Sequence, residues 1–217
     1  MNARFLIMLF AAFAVCIAGS AAAAVPADPW YVGAGYGIVN TDASASQLQQ
    51  ALVNQGYNVT SVTLDKPNTG WKLYAGFQFH PNWAVELGYA ELGEVTSHVT
   101  ASGVLDVNQF VQDALDAHDF SANGVTLDLM GMVHTGPVAL FAKLGGVHYK
   151  ADVKVYEVNS GINADRSEWG TGVHYSAGAI LPVYQNRVNL RGEWERFRVS
   201  GEWIDLYSLN VEFHFGG

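Results

Sequence analysis

The stretch "GWKLYAGFQFHPNWAVELGYAEL", residues 70–92, reads as two alternating runs joined by His80-Pro81-Asn82. One face of these runs carries Trp71, Leu73, Ala75, Phe77 and Phe79, then Trp83, Val85, Leu87 and Tyr89. The other carries Lys72, Gln78, His80 and Glu86 among glycines. A period of two is the mark of a strand, and the pair reads as an antiparallel hairpin. Two media could cover its faces. If the polar face meets water this is an ordinary sheet; if the apolar face meets lipid it is part of a membrane wall.

The same alternation recurs along the chain. It predicts strands over Trp30 to Asn40, Trp71 to His80, Trp83 to Ala90, Val125 to His134, Val138 to Tyr149, Val173 to Leu181, Val188 to Phe197 and Asp205 to Phe215. Tight turns follow the second, fourth and sixth strands, at His80-Pro81-Asn82, Thr135-Gly136-Pro137 and about Pro182 to Arg187. Long polar segments, residues 40–69, 91–123 and 150–171, follow the odd-numbered strands, and only the connection at Val199 to Trp203 is short on that side. An even strand number with short turns at one end and long loops at the other predicts an all-β fold, an eight-stranded antiparallel up-and-down transmembrane β-barrel. Its turns would be periplasmic and its loops extracellular.

The distribution of charge decides which face meets lipid. The apolar face has no charge through the middle of any strand and bears aromatics near strand ends, Trp30, Trp71, Trp83 and Phe215, as an interfacial girdle would. The opposite face is rich in glycine and carries both signs: Lys72, Lys143 and Arg191 against Glu86, Asp128, Glu193 and Glu212. A narrow lumen needs small residues and charges that neutralise one another. A water-soluble barrel around an apolar ligand needs the reverse.

Composition agrees. Of 217 residues 50% are hydrophobic and 14% charged, against roughly 25% charged in soluble domains. A formal charge of −9 with no basic cluster excludes nucleic acid as a partner, since phosphate binding needs cations that displace counterions. Residues 1–24 read as a signal peptide: Arg4, an apolar run from Phe5 to Ile17, and small residues ending in Ala22-Ala23-Ala24. The barrel domain then spans residues 25–217. The one cysteine, Cys16, lies in the apolar run behind Val15, so neither lipidation, a disulfide nor a thiolate ligand is expected of the exported chain.

Three stretches, "GWKLYAGFQFHPNWAVELGYAELGEV", "VALFAKLGGVHY" and "LRGEWERFRVSGEWIDLYSLNVEFHF", resemble the OmpA-like transmembrane domain family, small outer-membrane β-barrel proteins. The resemblance runs from about Trp30 to Phe215 and includes Lys143, the Arg191-x-Glu193 pair and the aromatic end of the last strand. It implies a lumen network in which Glu86, Lys143, Arg191 and Glu193, with Asp128 and Lys72 near them, pair across the barrel. It also implies delivery by the barrel-assembly machinery, with the terminal aromatic displaced two places inward, to Phe215. With Gly216-Gly217 closing the sequence, no periplasmic domain is expected.

Other constellations in the sequence point to other chemistry. His174-x-Ser176 is similar to the pair that performs acyl transfer in the lipid A deacylases, also outer-membrane barrels. Alternation sends both residues inward, however, and Val188 stands where that family has its acid. His80, His134, His174 and His214 fall on separate strands with no H-x-x-x-H pair, so neither a metal nor a cofactor is expected. Helical spacing appears over Asp42 to Gly56 and over Asp106 to Phe120. The expectation is a monomeric, non-enzymatic outer-membrane protein among lipids and lipopolysaccharide. It would contribute to envelope integrity and offer its loops to an extracellular ligand, a cationic one given the acidic loops. The alternative is a narrow channel gated by the lumen charges; a wide pore does not fit eight strands.

Overall fold

The computed structural model describes residues 28–41, 45–65, 69–93, 96–102, 109–110, 121–157, 163–184 and 187–216. Among these residues ten strands form one sheet: β1 Trp30–Thr41, β2 Asn58–Asp65, β3 Thr69–His80, β4 Trp83–Glu91, β5 Thr96–Ser102, β6 Ser121–Thr135, β7 Val138–Glu157, β8 Asn163–Tyr184, β9 Val188–Val199 and β10 Glu202–Phe215. Eight of them close a barrel in the order β1, β3, β4, β6, β7, β8, β9, β10, with β10 returning to β1. Every pairing within the barrel is antiparallel. Among the described residues no helix is long and apolar enough to cross a membrane.

Alternation then sorts side chains by face. Ile38, Leu127 and Leu209 stand 60% or more exposed on the outer face, while Arg191 and Glu86 on the inner face are at 0% and 1%. In water this arrangement would expose an apolar belt and bury charge. Around lipid it is the low-energy one, because the hydrocarbon has no partner for a charge and the closed ladder satisfies every backbone group. The opening hairpin is therefore a membrane wall. Trp30, Trp71 and Phe215 project outward at 41–50% exposure and Trp83 is partly covered.

The wall departs from the sequence reading at its long-loop end. β7 and β8 run well past Tyr149 and Val173, pairing as far as Tyr156 with Asn163. Two further strands, β2 and β5, lie in segments read as loops, pair with each other, and join the sheet where β5 runs parallel to the top of β7. Both are short and rich in Thr and Ser, which hides the period of two.

The first helical signal is realised as α1, Ala45–Asn54. It ends where Gly56 takes φ +95°, with Gly56 N–H donating to Val53 O at 2.9 Å and Tyr57 N–H to Leu52 O at 3.2 Å. These two bonds satisfy carbonyls that the helix end leaves open. Leu48 and Leu52 are buried, and Tyr57 meets buried Phe110 edge-on at 4.8 Å. The second helical segment, residues 106–120, lies outside the described residues apart from Gln109 and Phe110, as do residues 1–27 with the expected signal peptide.

Candidate functional site

The lumen is built in layers. At the short-turn end a vestibule of about 730 Å³ is lined by Met130, Met132, Ala139, Ile180, Asn189 and His214, among others. Above it lie the rings of Tyr31, Tyr74 and Phe141. They fit because the facing inner positions are glycine: a Cβ at Gly76 would collide with the Tyr31 ring, and one at Gly33 with that of Tyr74. Glycine is selected here by room rather than by backbone angle.

The charged belt comes next, and it gathers the residues singled out from sequence. Arg191 from β9 reaches Glu86 of β4 at 2.7 Å, Glu193 at 3.0 Å and Glu212 of β10 at 3.3 Å. Its guanidinium lies over Tyr74 and Phe141, 4.7 and 4.3 Å from the ring centres. Lys143 from β7 sits between Glu86 at 2.7 Å and Glu193 at 2.8 Å. Lys72 from β3 pairs with Glu193 and, at 2.5 Å, with Glu195. Asp128 meets His174 Nδ1 at 2.7 Å. Each cation therefore touches at least two carboxylates. Burying an ion is affordable only with such multiple pairing, since desolvation costs several kcal/mol per charge.

The sequence reading puts Glu212 on the inner face but leaves it, like Glu195, out of the pairing network. Glu195 and Glu212 lie on the inner face and complete the pairing of Lys72 and Arg191; their alternation was the available signal. Tyr31 donates to Glu86 at 3.1 Å, Ser176 to Glu193 at 2.7 Å, and Asn189 to Glu212 at 3.1 Å. His214 Nε2 stands 2.7 Å from Glu212. Lys72, Lys143 and Arg191 contact four carboxylates, Glu86, Glu193, Glu195 and Glu212, while Asp128 is met by His174, whose Nε2 also lies 3.4 Å from Glu195. His174 and Ser176 thus belong to this belt. Ser176 is bonded to a glutamate rather than to the imidazole, and both side chains are buried away from lipid.

Towards the long loops the lumen becomes apolar. Val39, Ala90, Leu92, Val147, Tyr149, Phe197, Val199, Ile204 and Leu206 form one buried cluster across the barrel. Tyr149 Oη accepts from Ser200 N–H at 2.8 Å, tying this layer to the β9–β10 turn. Among the described residues no group of three His, Cys, Asp or Glu side chains is arranged to hold a metal.

A closed eight-stranded wall around a filled lumen limits what the protein can be. Among curated proteins none matches the chain in sequence. Among solved structures, Neisserial surface protein A is 12% identical with a TM-score of 0.53, over 86% of this chain and 97% of that one. The outer membrane protein OprG from Pseudomonas aeruginosa is 14% identical with a TM-score of 0.51, over 88% and 98%. These likenesses show the shared barrel fold. The OmpA-like transmembrane domain model matches residues 25–216, nearly the whole chain. With its closed wall, apolar exterior and charged interior, this chain belongs to the OmpA-like transmembrane domain family of outer-membrane β-barrels.

Proposed function

We propose that the protein is a plugged, non-enzymatic scaffold of the outer membrane that supports envelope integrity and presents its long-loop end as an interaction surface. The observation that carries this reading is the double closure of the lumen. Ions would have to cross both a belt of shared salt bridges and an apolar layer at the level of Phe197 and Leu206. A dry apolar constriction resists ions even without charge, because it does not hold water. The only described sub-structure outside the barrel, α1 with β2 and β5, stands at the long-loop end. It supports a role in contact with the exterior, as a monomer among lipids and lipopolysaccharide after insertion by the barrel-assembly machinery.

The second reading is a narrow gated channel. It is favoured by the placement of Lys143, which shares Glu86 and Glu193 and could pass between them. Planar-bilayer recording of the purified protein tests both readings. Silence from folded wild-type protein and from Arg191→Ala supports the plugged scaffold. Discrete openings that grow in Arg191→Ala would establish the channel instead.

A further inference from the structure

On the outer face of β8, β9 and β10, just above the apolar band, lies a cluster that the lumen does not use. Arg196 stands opposite Asp205 and Tyr175 in the register, and Arg198 opposite Trp203. Arg196 binds Asp205 through two nitrogens, at 2.6 Å each, and Trp194 Nε1 donates to the same carboxylate at 3.1 Å. Tyr175 packs edge-on against both Trp194 and Trp203, at 5.8 and 5.7 Å. Arg198 lies 4.8 Å over the Trp203 ring, and no carboxylate pairs with it among the described residues.

The pairing is uneven around this rim. Lys150 on β7 has Asp152 at 2.9 Å, and Arg196 has Asp205, so each of those cations is neutralised in place. Arg198 keeps its charge in a chain whose net charge is −9. It does so on the outer face of a strand whose Leu190, nearer the short turns, is exposed on the same side, so that Arg198 falls beyond the apolar band at the level of a membrane headgroup region. A guanidinium resting over an indole through its face leaves N–H groups for the oxygens of a phosphate.

We propose that Arg198, fixed by Trp203 and flanked by the Arg196–Asp205 pair, is a binding point for a phosphate of lipid A in the outer leaflet. The site needs no lumen opening and no loop movement. Arg196 and Asp205 are positioning residues: Arg196 lies over the rings of Trp194 and Trp203, at 5.6 and 5.8 Å, and Asp205 fixes both Arg196 and the Trp194 indole.

The inference rests on the long-loop end facing outward. Cleavage by protease within residues 150–171 of intact cells checks that orientation separately from the site. The test is native mass spectrometry of the folded protein in detergent micelles, titrated with hexa-acyl lipid A. Arg198→Ala should lower the bound fraction about tenfold, the worth of one charge-assisted contact. Arg198→Gln, which keeps a side chain over Trp203, should do the same and serves if the alanine variant fails to fold. Arg198→Lys should restore part of the binding, and Lys150→Ala should leave it unchanged. Unchanged binding in both neutral Arg198 variants would overturn the site, as would an equal loss in Lys150→Ala. Equal retention of dephosphorylated lipid A, or displacement by phosphatidylglycerol at equal phosphate, would overturn the assignment to lipid A phosphate.

Discussion

The charged belt and the apolar layer above it fill the same lumen to similar completeness by opposite means. In the belt Arg191, Glu86 and Lys143 are each buried to within a few per cent and held by distances of 2.7–3.3 Å. In the layer Phe197, Leu206 and Ala151 are equally buried and held by shape. The belt is specific in register, because sliding one strand by a residue would put its charges into lipid. The apolar layer tolerates exchange among side chains of similar volume. One medium-sized lumen thus combines a part that fixes register with a part that excludes water.

The comparison breaks most sharply at Arg191. Arg191→Ala leaves Glu86, Glu193 and Glu212 short of a partner and should cost about 3–5 kcal/mol, read from reversible urea unfolding in lipid vesicles. Arg191→Met, which fills the volume without charge, should lose as much unless Glu86 is also replaced by Gln; recovery in the double variant would show that stranded charge is the cause. Phe197→Ala removes a ring stacked at 4.5 Å on His174 and should cost about 3–4 kcal/mol in the same assay. Ion flow should require both changes: neither single variant conducts, whereas Arg191→Ala combined with Phe197→Ala does. Conductance in Arg191→Ala alone would show that the apolar layer is no barrier.

Smaller effects sharpen the contrast between inside and outside. Leu129→Arg and Leu73→Arg place a charge on the lipid face and should cost about 2–4 kcal/mol each at mid-membrane. Full tolerance of both would mean that the outer face does not contact lipid. At the long-loop end, Gly56→Ala strains a φ of +95° and should cost about 1 kcal/mol, confined to α1 and visible as faster amide exchange there. Protease on intact cells should cut within residues 40–69, 91–123 or 150–171, and not at Pro81 or Gly136. A nick at either turn would reverse the topology.

Much of the wall was legible before the structure, because a strand between lipid and a packed lumen must alternate at every residue. The opening hairpin shows it in the register that pairs Leu73 with Tyr89 and Ala75 with Leu87. Inner-face membership of Lys72, Glu86, Lys143, Arg191 and Glu193 was readable for the same reason. The pairing among them was not. Glu195 and Glu212 carry the same alternation signal as Glu193, and which cation each meets depends on strand stagger around a closed cylinder, a property of all eight strands together. The strands β2 and β5 escaped notice because one side of each faces water and no lipid enforces contrast between their faces.

The sequence by itself determined the wall, its outward apolar face and the charges held inside, because each follows from the local two-residue period and the side chain's affinity for lipid or water. Only the tertiary structure decided the order of the lumen layers, the partners of Arg191 and Lys143, the joining of β5 to β7, and the placing of Arg198 over Trp203. Those are contacts between residues far apart in the chain, and barrel closure brings them together.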